Sequence, residues 1–162
     1  MPEPAIEGDD RGLVIGLGNR WRRDDGIGLH AVEALRTALA DHPAPPAVDI
    51  VTAGGEPAEL MALWAGRRRV WLIDALVAGT APGCHHRLDA GDPLPHASSH
   101  SSHGLGLAQA VELARALDEL PERLVIHGIE PAELDDGATL SAPVAATLPH
   151  LITALLDELG AP

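Results

Sequence analysis

Short unbroken apolar runs alternate with longer stretches in which apolar residues return every three or four positions, and the two rhythms predict strands and helices in turn. Leu13-Val14-Ile15, Val48 to Val51, Arg69 to Ile73 and Leu124 to Ile129 read as strands, the third ending at Asp74. The β-branched, apolar run Leu13-Val14-Ile15 is that of a strand covered on both faces. An extended segment from Cys84 to Leu88, bounded by Pro82-Gly83 and Asp89-Ala90-Gly91, reads as an antiparallel edge strand. Helical spacing links Ile27, Ala31, Ala34, Leu35 and Ala38, in a helix expected to begin near Asp24 or Asp25. A short helix is expected from about Pro57 to Leu63, and another through Leu107, Ala110, Val111, Ala114 and Leu117. The last stripe, Val144, Leu148, Leu151, Leu155 and Leu159, is the clearest, with Pro149 expected to kink the helix or delay its start. Strands alternating with helices of this length imply one α/β domain over residues 1–162, built on a mostly parallel, doubly covered sheet, with residues 1–11 expected as a disordered tail.

The stretch LVIGLGNRWRRDDGIG, Leu13 to Gly28, carries this pattern into chemistry. Gly16 and Gly18 permit a sharp exit from the strand, and Asp24-Asp25 follow at the helix start, on the carboxyl edge where open α/β sheets keep their ligands. Asp25 after the first strand, Asp74 at the end of the third and His103 at the head of the helix after the polar loop can all reach that edge. Two carboxylates and an imidazole suit a borderline divalent metal and leave positions open for substrate or water.

Plainer readings stand beside this one. An acidic pair at a helix start is commonly a cap with a favourable dipole interaction, and Asp74 could shape a turn. His96, His100 and His103 in HASSHSSH form a histidine-rich loop that solvation alone would explain. His85 and His86 fall on opposite faces of a strand and are not expected to act jointly, and His30, His42, His127 and His150 have no evident partner. Arg67-Arg68-Arg69 reads as a solvated turn. As a dinucleotide fingerprint Gly16-x-Gly18 is incomplete, because Trp21 stands in the place of the third glycine.

Composition narrows the field further. A formal net charge of -13 argues against nucleic acid or an anionic membrane as partner. All 11 basic residues are arginine, which removes a Walker-type phosphate loop, a Schiff-base enzyme and a response-regulator receiver, each of which relies on a lysine. No apolar run approaches the roughly 20 residues of a membrane span, and the opening MPEPAIEGDD lacks the basic and apolar regions of a signal peptide. With Cys84 as the single cysteine, a reducing, cytoplasmic setting is expected. Phe and Tyr are absent, so the core must come from Leu, Val, Ile and Ala.

Taken in order, these pieces resemble the hydrogenase maturation proteases, the endopeptidases that trim the C-terminus of nickel-iron hydrogenase large subunits. The resemblance rests on Gly16-Leu17-Gly18-Asn19 with Asp24-Asp25-Gly26-Ile27-Gly28, and on Ser102-His103-Gly104-Leu105-Gly106-Leu107. Ala53-Gly54-Gly55 with Glu59-Leu60, Ile73-Asp74-Ala75, Pro82-Gly83 and Gly128-Ile129-Glu130-Pro131 extend it over nearly the whole chain. It implies a three-layer αβα sandwich around a twisted, mostly parallel five-stranded sheet with an antiparallel edge strand. It also implies an aspartic-type endopeptidase in which Asp25, Asp74 and His103 are the metal-binding residues and Asp25 and Asp74 the catalytic ones. The metal would be nickel already seated in the large-subunit precursor, with no organic cofactor. Family members carry Glu or Asp at the position of Asp25, and Trp21 replaces a more usual aliphatic residue. Asp24 is left as the helix cap. Two other classes stand beside it: an independent zinc-dependent metallohydrolase using Asp25, Asp74 and His103, with His100 as a further candidate, and a non-enzymatic nickel-binding or docking module for hydrogenase assembly that uses the histidine loop for delivery. No arrangement for a nucleophilic serine or cysteine competes; Cys84 has no histidine placed to activate it.

Overall fold

A computed structural model describes residues 10–95 and 102–161, without the side chains of 102–105. Five strands, β1 (Gly12–Leu17), β2 (Val48–Ala53), β3 (Arg69–Ala75), β4 (His85–Asp89) and β5 (Arg123–Ile129), form one sheet in the order β2-β1-β3-β5-β4. The first three pairings are parallel and β4 runs antiparallel to β5 at the edge. Helices α1 (Ile27–Ala40), α2 (Pro57–Trp64), α3 (Ser102–Ala116) and α4 (Ala142–Gly160) complete the chain.

Alternation along the strands sorts the core into two layers. Leu13, Ile15 and Leu17 of β1 pack with Leu60 and Trp64 of α2 and Leu107, Ala110, Val111 and Ala114 of α3. Val14 points the other way, into a layer with Ile27, Ala31 and Leu35 of α1 and Val144, Leu151, Leu155 and Leu159 of α4. The sheet is therefore covered on both faces, which is why β1, β3 and β5 are buried almost throughout and β4, at the edge, is not.

Some expectations need correction. A 3-10 turn, Arg23–Gly26, intervenes before α1, so the helix proper begins at Ile27 rather than at the acidic pair. Helix α4 starts at Ala142 and continues through Pro149 without the expected delay. Pro149 is exposed, so the carbonyl its missing N–H would have engaged can be left to solvent. The three arginines expected as a solvated turn instead bind Asp49, Asp10, Glu122 and the carbonyl of Ala161, tying chain ends to strand ends. Residues 1–9 of the expected tail lie outside the described residues; Asp10 pairs with Arg68 and Arg11 with Asp49.

Candidate functional site

Strands β1 and β3 are direct neighbours, so their carboxyl ends open side by side. From Leu17 the chain leaves through Gly18 at φ 141°, and a Cβ there would lie 1.9 Å from the carbonyl oxygen of Asp25. Only glycine allows that approach, and it draws the acidic turn back onto the strand end. Asn19 N–H then donates to the Asp25 carbonyl at 3.2 Å and Asp25 N–H to the Arg22 carbonyl at 3.0 Å. The turn packs against β3. On β3, Asp74 pairs in register with Gly128 of β5, and its Oδ1 accepts the N–H of Ala75 at 2.8 Å. Asp25 and Asp74 are each only 2% exposed, so two carboxylates are buried at adjoining strand ends.

His103 is the second residue of α3. Its side chain lies outside the described residues, as do His96 and His100 entirely. What can be placed is the helix start: a Cβ on Gly106 would lie 2.0 Å from the carbonyl oxygen of Gly55, in the loop that follows β2. Because β2 flanks β1, this close approach sets the first turn of α3 on the same carboxyl edge. Among the described residues, no three His, Cys, Asp or Glu side chains are grouped to hold a metal ion.

Asp24 differs sharply from its neighbour. It does not cap the turn or α1; both lack a side-chain cap. Fully buried, it accepts the N–H groups of Ala132 and Glu133 at 2.8 Å each, the N–H of Ser141 at 2.7 Å and the Ser141 hydroxyl at 2.7 Å. Burial alone would raise its pKa, but the hydrogen bonds from Ser141, Glu133 and Ala132 together hold it below the ordinary Asp value. Asp24 thus anchors the 131–141 loop and the residue preceding α4. Glu130, whose role the sequence left open, accepts the N–H groups of Ala78 and Gly79 at 2.7 and 3.2 Å and the Thr80 hydroxyl at 3.1 Å. It shapes the loop that leaves Asp74. Asn19 forms an Asx turn, its Oδ1 accepting Trp21 N–H at 3.0 Å.

Sequence reasoning also missed a polar cluster on the α4 side. His127 of β5 is fully buried, 2.8 Å from His85 Nε2 and 3.6 Å from Glu158 of α4. Glu158 accepts Trp71 Nε1–H at 2.7 Å and Arg87 Nε–H at 2.6 Å. His86 instead meets Thr80 at 2.9 Å. A histidine inside an apolar strand run was the available signal, since a buried imidazole requires partners. A groove of about 800 Å³ lined by Trp64, Arg67, Arg68, Leu120 and Glu122 lies at the opposite, amino end of the sheet.

Comparison with known proteins converges on one family. The model of the hydrogenase maturation protease family matches residues 29–158. Hydrogenase 2 maturation protease of Escherichia coli (strain K12) is 32% identical over 151 residues, covering 91% of this chain and 89% of that protein. The hydrogenase expression/formation protein HupD of Rhizobium leguminosarum bv. viciae is 32% identical over 157 residues, covering 93% and 73%. Among solved structures, the hydrogenase maturating endopeptidase HybD from E. coli superposes with a TM-score of 0.76 at 29% identity, covering 92% of this chain and 91% of that one.

Proposed function

The chain belongs to the hydrogenase maturation protease family, and from that premise we propose that it removes the C-terminal extension of a nickel-loaded hydrogenase large-subunit precursor. Membership makes it a hydrolase of peptide bonds. The finer reading is supported above all by two buried carboxylates, Asp25 and Asp74, at adjoining strand ends, with the first turn of α3 on the same edge.

In this reading Asp25, Asp74 and His103 recognise nickel held by the precursor, a donor set suited to that borderline ion. One of the two carboxylates takes a proton from water as its oxygen attacks the scissile carbonyl. The C–N bond then breaks and the proton passes to the departing amine. General-base assistance of this kind contributes about 10²–10⁴-fold. Because the metal arrives with the substrate, a precursor without nickel lacks part of what the enzyme binds, and cleavage becomes a checkpoint on metal insertion. The single free thiol, Cys84, fits a reducing compartment, and the reaction is assigned to the cytoplasm. No described helix is long and apolar enough to cross a membrane.

Purified protein mixed with nickel-loaded precursor is expected to release one C-terminal peptide, read by intact mass of both products. Nickel-free precursor is expected to stay at full mass; its efficient cleavage would overturn the checkpoint.

A further inference from the structure

Trp21 is 66% exposed, whereas the other two tryptophans, Trp64 and Trp71, are 1% and 0% exposed. We propose that Trp21 and the arginines beside it form the surface on which the precursor docks, and that the docked segment offers an apolar side chain to the indole and an acidic one to Arg22. This rests on the processing reading above and adds what that reading lacks, the chemistry of the recognised segment.

The loop carrying Trp21 is held on both sides. Trp21 N–H donates to Asn19 Oδ1 at 3.0 Å, its carbonyl accepts Gly137 N–H at 2.9 Å, and Arg22 bridges Gly137. Arg23 N–H donates to the Gly137 carbonyl at 2.9 Å, and Arg23 itself sits at φ 45°, a conformation that side chains rarely adopt. The main chain therefore presents the indole from a fixed base, four residues before Asp25. An exposed indole on a fixed main chain has only two side-chain torsions to order on binding, and tryptophan is enriched among interface anchors.

Beside it is a cavity of about 150 Å³ lined by Arg20, Trp21, Leu29, His30, Glu33 and Ala138, a volume that accepts a benzene-sized group. Charge sets the sign of the partner. Arg20, Arg22 and Arg23 fall within four residues of a chain whose net charge is -13. Arg20 is paired with Glu33 and Arg23 with Glu133, while among the described residues no carboxylate pairs with Arg22. With its two neighbours already neutralised, Arg22 is the guanidinium left to meet an acidic side chain of the docked segment, which sets the register of docking more than its overall affinity.

The test labels the protein with 5-fluorotryptophan and adds unlabelled nickel-loaded precursor. One of the three fluorine resonances, assigned by its loss in Trp21→Phe, is expected to show a solvent isotope shift in free protein and to move and lose that shift at saturating precursor. In cleavage assays Trp21→Ala and Arg22→Glu are each expected to raise KM about tenfold or more, with the loss on KM rather than kcat, while Arg22→Lys recovers most of it. A Trp21 resonance unmoved by saturating precursor, or Trp21→Ala with wild-type KM, overturns the docking surface. A shift that depends on protein concentration without precursor overturns it in favour of a second copy of this chain. If wild-type protein binds precursor, protects Trp21 and leaves the precursor uncut, docking stands and the processing reading fails.

Discussion

At the carboxyl edge of the sheet, Asp25 and Asp74 are buried beside turns of the main chain, and that main chain fixes where they stand. On the α4 side, His127 is buried among side chains that answer it: His85, Glu158 and, through Glu158, Arg87 and Trp71. The contrast separates the buried acids proposed for the chemistry, placed by the main chain, from a buried polar group placed by other side chains. Positions set by backbone tolerate loss of the charge with the fold intact, whereas a network of mutually dependent side chains fails when one member goes. Asp24 is the internal control. It adjoins Asp25 in sequence, yet belongs with His127, because four donors from the 131–141 region converge on it.

The largest expected effect tests the edge. Asp25→Asn and Asp74→Asn should each slow release of the C-terminal peptide by at least about 10²-fold, the scale of general-base assistance. Unfolding in urea should change little, since Asn keeps the size and shape of each side chain at the strand ends. Loss of cleavage accompanied by loss of the folded state would erase the distinction drawn between the two regions.

Asp24→Ala should do the reverse. Leaving the N–H groups of Ala132, Glu133 and Ser141 without their acceptor should lower stability by about 3 kcal/mol or more, at roughly 1–3 kcal/mol for each buried donor left unsatisfied. Activity per folded molecule, measured well below the unfolding midpoint, should hold far better than in the Asp25 variant. A stable, inactive Asp24→Ala protein would move Asp24 into the chemistry.

Much of this was readable from sequence where a single physical demand governs a segment. Burial on both faces forces a continuous apolar run, so β1, β3 and β5 stood out, and Asp74 was conspicuous as the first acid after such a run. The ends were less legible. The 3-10 turn before α1 moved the helix start, and solvent at Pro149 let α4 run where a buried proline would have stopped it. Telling Asp24 from Asp25 was beyond local pattern, because the donors that claim Asp24 lie 108 to 117 residues away. The same holds for His127, whose partners come from β4 and α4. Trp21 was legible as an oddity, but its exposure depends on a loop closed by Gly137.

The histidine cluster gives a pH signature that the edge does not share. Burial pushes His127 down to about 4, partly opposed by Glu158 and reinforced by His85 and Arg87, and burial also lowers His85. Unfolded, His127 titrates near the ordinary histidine value of 6.5, so between that pH and about 4 the unfolded chain binds a proton that the folded protein does not. Stability should therefore fall on acidification across this window, by up to about 1.4 kcal/mol per pH unit for this group. Glu158 is held below the ordinary glutamate value of 4.5, burial being outweighed by Arg87 and Trp71, so its contribution is lost only at lower pH. Urea midpoints measured from pH 7 to 4 should show the slope, and His127→Leu should flatten it. A wild-type profile flat over that range would mean that His127 is charged against Glu158.

The smallest effect concerns Glu130, which sharpens the comparison because it lies close to the edge and yet, by its bonds, belongs to the fold. Its Oε2 accepts Ala78 N–H and the Thr80 hydroxyl and its Oε1 accepts Gly79 N–H, while its main chain exchanges bonds with Gly83 and Cys84. In Glu130→Gln one oxygen becomes an NH₂ facing a backbone donor, and the remaining bonds lose their charge assistance. About 1 kcal/mol of stability should go, the difference between charged and neutral hydrogen bonds. Asp74 and Ala75, however, are fixed by their own pairing with Gly128 and Ile129 in β5, independently of the loop beyond. The peptide-release rate at saturating precursor should stay within about twofold of wild type, since no donor to the reacting groups has been removed. A loss approaching that of Asp74→Asn would show instead that the loop after β3 sets the acid, and that the edge and the supporting network are one device.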